Sequence, residues 1–131
     1  MTNTPVFAQT PKTFIASLTS PTAITSRANI TGTTGLTKLT DTTTNGFRLD
    51  NISIKGKGTS LAATVFIWLY DGTTSYIFDE IEIAVATGST TVSSIETSTD
   101  YTSNNLTPTQ QLYISVSVAQ DLNVFANGGA Y

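Results

Sequence analysis

The stretch LAATVFIWLYDGTTSYIFDEIEIAV, residues 61–85, decides the fold. Asp71-Gly72 separates two apolar runs, and an Asp-Gly pair in that setting is a strong hairpin signal, because glycine supplies the positive φ that a tight turn demands. In the first run, residues 61–70, Val65, Ile67 and Leu69 fall on one face of a strand and Phe66, Trp68 and Tyr70 on the other. Both faces are therefore apolar. Only one can look into a two-layer core, and the other needs a cover, which is either a loop or another subunit. The returning run, residues 76–85, repeats the pattern, with Ile77, Ile81 and Ile83 set against Tyr76 and Phe78.

Outward from this hairpin the alternation of strands recurs and no helical period is convincing. Residues 14–19 read as a first strand, 23–30 as a weaker one, and 36–39 as a short element between turn-rich stretches. Phe47 and Leu49 face one way, while Ile52 and Ile54 resume the alternation one position out of phase; a β-bulge at Asp50 or Asn51 would keep all four on one face. Further strands are expected over residues 92–101, 112–118 and 122–126, with a polar loop over 102–109 carrying Pro108. About eight antiparallel strands joined by short turns predict an all-β, jelly-roll-like β-sandwich. The expected organisation is an extended N-terminal arm, residues 1–12, followed by a single sandwich domain, residues 13–131.

Composition narrows the chemistry. Charged residues make up only 11% of the 131, where roughly a quarter is usual, and Thr and Ser take their place. The net charge of −3 is spread along the chain without a basic run, which argues against nucleic acid and anionic membranes as partners. The longest apolar run is about half of the ~20 residues that a membrane-spanning helix needs. Residues 1–13 lack the basic and apolar regions of a secretory signal. There is no histidine and no cysteine, which removes the Ser-His-Asp triad, the Cys-His pair and imidazole or thiolate metal ligands. No small-molecule substrate or cofactor is expected.

What remains is weak. Glu80 and Glu82 on one strand face, beside Asp79, could flank a glycosidic bond or bind calcium, although neighbouring carboxylates on an exposed strand are as a rule solvated and discourage edge pairing. Lys55-Gly56-Lys57-Gly58 lacks the Gly-Lys-Ser/Thr order and following helix of a phosphate loop and reads as a turn. Asn29-Ile30-Thr31, Asn51-Ile52-Ser53 and Asn105-Leu106-Thr107 match a glycosylation pattern that a Thr/Ser-rich chain generates by chance. Trp68, between Phe66 and Tyr70, could stack on a sugar ring, but core or subunit interface weighs more, since a lone binding face would leave a large patch wet. The closing residues 127–131 end on Tyr131, which either frays or docks on a neighbour.

Three stretches carry a resemblance: Asn3-Thr4-Pro5-Val6-Phe7-Ala8-Gln9-Thr10-Pro11-Lys12-Thr13, Phe66-Ile67-Trp68-Leu69-Tyr70-Asp71-Gly72, and residues 119–131, AQDLNVFANGGAY. Together the chain resembles the capsid cement and decoration proteins of tailed bacteriophages. The resemblance implies a virion structural protein, made in the host cytoplasm and seated as a homotrimer on the outer capsid surface, where it bridges subunits of the major capsid protein. The expected oligomer interface is Phe66, Trp68, Tyr70, Tyr76 and Phe78, whose burial would gain ~25 cal/mol per Å² of apolar area. The expected capsid contact is the arm, through Pro5, Val6, Phe7, Pro11 and Lys12. The competing expectation is a tail-fibre or receptor- and carbohydrate-binding module. The loops at 31–46 and 88–109 depart from the resemblance.

Overall fold

The computed structural model describes residues 10–131, the side chain of Ser103 set aside. Among the described residues nine strands run in the order β1 (Thr10–Leu18), β2 (Ile30–Thr31), β3 (Thr37–Lys38), β4 (Phe47–Gly56), β5 (Ala63–Tyr70), β6 (Thr74–Ile83), β7 (Glu96–Leu106), β8 (Gln111–Val116) and β9 (Leu122–Ala130). They form two antiparallel sheets, one in the order β1-β9-β4-β7 and the other β2-β6-β5-β8-β3. Without the two-residue β2, eight strands lie four to a sheet, and from β3 onward every connection except the β5–β6 hairpin passes from one sheet to the other. This is the jelly-roll order, and the all-β sandwich reading stands.

The bulge in β4 is where the slipped alternation put it. Pairing with both β7 and β9 shifts between Leu49 and Asn51, and Phe47, Leu49, Ile52 and Ile54 all turn inward, at most 1% exposed. They meet Val65 and Ile67 of β5 and Ile114 and Val116 of β8 in one core between the sheets. The Asp71-Gly72 turn also forms. Asp71 Oδ1 accepts from the amides of Thr73 at 2.9 Å and Thr74 at 2.8 Å, and these amides hold the carboxyl below its usual pKa; Gly72 sits at a φ of 99°.

Four expectations are corrected. β1 begins at Thr10, so Thr10, Pro11 and Lys12 pair with Ala130, Gly129 and Gly128 instead of extending the arm. β7 continues through Leu106, because pairing with β4 holds a Thr/Ser/Asn-rich segment that composition alone marks as loop. The C-terminal Asn127-Gly128-Gly129-Ala130 stretch is no frayed tail but part of an inner strand between β1 and β4. In β6 the register slips between the pairs Ile67–Asp79 and Trp68–Ile77; the extra residue, Phe78, turns to the core side against Tyr101, ring centroids 5.8 Å apart, while Ile77 shares the outer side with Trp68.

Candidate interaction surface

The outer face of the β5 sheet is covered by the chain itself. After β1, Ser20 takes a φ of 46° and donates its amide to Asp121 Oδ1 at 2.8 Å, which redirects the backbone. Ala23 then bridges Val116, with the Ile24 amide donating to Val116 O at 3.0 Å, at the β8 side of the sheet. Ile30 and Thr31 pair with Ser75 and Thr74 at the β6 edge, and Thr37 and Lys38 return to pair with Ile114 and Tyr113 of β8. Two crossings in opposite directions thus pass over β5, the strand between β6 and β8. On the first, the Arg27 guanidinium lies 5.3 Å from the Phe66 ring centroid and donates to Glu80 Oε1 at 2.7 and 2.9 Å.

This cover overturns the expectation that Phe66 and Trp68 meet a second subunit. In one isolated chain Phe66 is 2% exposed and Trp68 0%. Trp68 Nε1 donates to Ser115 Oγ at 2.9 Å, so even its polar atom is satisfied internally. The same burial removes Trp68 as a platform for sugar stacking. The other three aromatics do not form a patch. Tyr70 is half-buried, edge-on to Tyr113 and hydrogen-bonded to Gly72 O; Phe78 points to the core side; Tyr76 alone keeps a large exposed surface, 41%. Of the expected capsid contacts, Pro5, Val6 and Phe7 lie outside the described residues, and Pro11 and Lys12 are exposed on edge strand β1, Lys12 Nζ 5.2 Å from the Phe14 ring.

The three acidic residues of β6 have separate surroundings. Glu80 is held by Arg27, which lowers its pKa, Glu82 is exposed, and Asp79 Oδ2 accepts from Tyr101 Oη at 2.6 Å across the two sheets. Among the described residues no three acidic side chains gather where they could hold a metal ion.

Among the described residues nothing crosses the outer face of the β1-β9-β4-β7 sheet, and that face is organised in cross-strand rows. One row, Thr13, Asn127, Asn51 and Asp100, spans all four strands. Its side chains join hand to hand: Thr13 Oγ1 donates to Asn127 Oδ1 at 2.9 Å, Asn127 Nδ2 to Asn51 Oδ1 at 3.2 Å, and Asn51 Nδ2 to Asp100 Oδ1 at 2.8 Å. The adjacent row is Ile15, Phe125, Ser53 and Ser98, with Ile15 64% exposed and Phe125 half-buried. The next holds Ser17, Asn123, Lys55 and Glu96, where Ser17 Oγ donates to Asn123 Oδ1 at 2.8 Å and Lys57 Nζ donates to Ser17 Oγ at 2.7 Å. Two cations of the face have acidic partners: Lys55 lies 3.8 Å from Glu96, and Arg48 donates twice to Asp50.

The face is thus largely amide and hydroxyl, its charges are of both signs, and its one apolar pair, Ile15 and Phe125, lies towards the β1 edge. Reading the sequence missed it because Thr, Ser and Asn on alternate positions look like any solvated strand face; the outlying signals were Ile15 and Phe125, apolar residues in the outward phase of their strands. Comparison of the chain with protein-family models, with curated proteins and with solved structures finds no match. What fold and surface define is a class: a jelly roll with one sheet dressed by its own chain and the other left bare.

Proposed function

We propose that this chain is a non-catalytic structural module that docks by the bare face of its β1-β9-β4-β7 sheet, and that its place is the outer surface of a tailed-phage head, as a cement or decoration protein on the major capsid protein. The observation that carries the docking reading is the contrast between the sheets: a double crossing seals one outer face, while the other leaves Ile15 and Phe125 in water among ordered amides. The resemblance of both ends and of the central hairpin supports the capsid assignment, and an inventory without histidine or cysteine supports a structural role. The homotrimer rests on the resemblance alone, now that Phe66 and Trp68 are covered within one chain.

The test is co-sedimentation with heads that lack the protein. Wild type should saturate the particles at hundreds of copies, counted by mass spectrometry, and Ile15→Asp with Phe125→Ser should abolish binding while leaving the melting temperature in place. Full binding by that double variant would sink the docking face. A copy number of only a few per particle would sink the cement reading.

A further inference from the structure

We propose that the cleft at one end of the bare sheet, lined by Asn45, Asn105, Leu106, Thr107, Pro108 and Tyr131, is a binding site for the exposed end of a neutral glycan. This goes beyond docking on a shell. It is a shallow, open depression of about 360 Å³, which suits the exposed end of a ligand better than a wholly enclosed one. It lies where three segments converge: the turn that precedes β4, the end of β7 with the turn that follows it, and the residue after β9. None of its six lining side chains carries a formal charge, so it has nothing with which to select a phosphate or a carboxylate. It combines the Tyr131 and Pro108 rings with two primary amides and a hydroxyl, above the buried Leu106.

That mixture matches a hexose. A sugar ring has an apolar C–H face that packs on an aromatic or proline ring, and a rim of hydroxyls that both donate and accept, as primary amides do. The lining is also built rather than incidental. The Tyr131 amide donates to Gly46 O at 3.2 Å and its hydroxyl to Asn105 Oδ1 at 2.8 Å, which fixes the ring and turns the Asn105 amide nitrogen away from that bond. The Thr107–Gln110 turn is closed twice, by Gln110 N to Thr107 O at 3.0 Å and by Thr107 N to Gln110 Oε1 at 2.9 Å, which sets Pro108. Gly46, at a φ of 100°, is needed to bring the turn this close, since a Cβ there would stand 2.7 Å from Leu106 O. A site ordered before the ligand arrives spends less of its interaction free energy on immobilisation.

The experiment is saturation-transfer NMR and titration of the full chain with neutral oligosaccharides ending in glucose, galactose, mannose or N-acetylglucosamine. Binding of at least one, with a Kd of roughly 1 mM or tighter, is expected, with saturation transferred to the ring protons of the terminal sugar. Tyr131→Ala should weaken it by about tenfold or more. Asn45→Ala, an exposed position whose change leaves the fold intact, should weaken it several-fold, and the melting temperature of both variants is measured alongside. Phe125→Ser, on the docking face, should bind as wild type does, which separates this site from the docking proposal. No binding to any of these sugars, unchanged affinity in both Tyr131→Ala and Asn45→Ala, or binding restricted to acidic sugars or to peptides would overturn the assignment.

Discussion

Trp68 shows how a single polar atom commits a buried side chain to one arrangement. Its Nε1 donates to Ser115 Oγ on the covered side of the sheet, and Ser115 is itself 2% exposed. Ser115→Ala leaves the indole N–H unpaired in a dry site, which should cost about 2 kcal/mol and lower the melting temperature by several degrees. The further change Trp68→Phe removes the orphaned donor, so the double variant should lose less than the sum of the two single ones, a comparison that thermal denaturation reads directly. Tyr101 poses a different question, because its hydroxyl can ionise. Burial, and then the Asp79 carboxylate, push its pKa well above the usual tyrosine value. The folded state therefore favours the protonated phenol, whose contribution is complete below the unfolded value of about 10 and fades as the pH climbs towards the folded one. Tyr101→Phe should cost about 1 kcal/mol near neutrality through the lost hydrogen bond, and its stability should fall less steeply than that of wild type above pH ~10. An identical alkaline slope in equilibrium unfolding would refute this account of Tyr101.

Elements show which features hydropathy can and cannot transmit. The β4 bulge was legible because Phe47 and Leu49 stand out of phase with Ile52 and Ile54 and only polar residues lie between them. The β6 bulge left no such mark: Ile77 and Phe78 are both apolar, so a slip of one residue exchanges one greasy side chain for another, and Asp79 in an inward phase was its single trace. The covering crossings were hidden for a related reason, since a Thr/Ser/Gly-rich segment reads as loop whether it hangs in water or lies across a sheet, and contacts such as Arg27 over Phe66 have no periodicity. β9 was truncated because glycine weakens a strand on average, yet Gly128 is needed where it stands. It pairs with Leu49 beside the β4 bulge, and a Cβ on it would lie 1.9 Å from Arg48 O and 2.8 Å from Phe47 Cζ. Backbone cannot give way as a side chain can. Gly128→Ala should therefore destabilise by about 3 kcal/mol or more, whereas Gly32→Ala, in open space but at a φ of 79°, should cost nearer 1 kcal/mol from backbone strain alone. Urea unfolding of the two variants side by side tests the ranking, and equal losses would mean that β4 can shift to accept the methyl.

Across the whole molecule, the distribution of charge decides how docking responds to salt. An exposed interface held by ion pairs weakens as salt screens it, while one held by apolar contact and neutral hydrogen bonds does not. On the β1-β9-β4-β7 face Arg48 and Lys55 are paired within the sheet, and Lys57 and Asp100, bonded to neutral side chains, carry opposite charges, so docking there has little net Coulomb attraction to lose. The net charge of −3 adds only a weak long-range field, which bears on the rate of encounter more than on the strength of the complex. The proposed docking on phage heads should accordingly change less than about threefold in Kd from low to high salt, with any change confined to the association rate, whereas polybasic docking falls by orders of magnitude over such a range. Kosmotropic salts should tighten it, because they strengthen the burial of Ile15 and Phe125. Surface-immobilised heads and a salt series separate the two rates. A steep loss of affinity through faster dissociation would shift the contact away from the amide rows and towards the charged edges of the sheet, where Lys12 and Lys57 project.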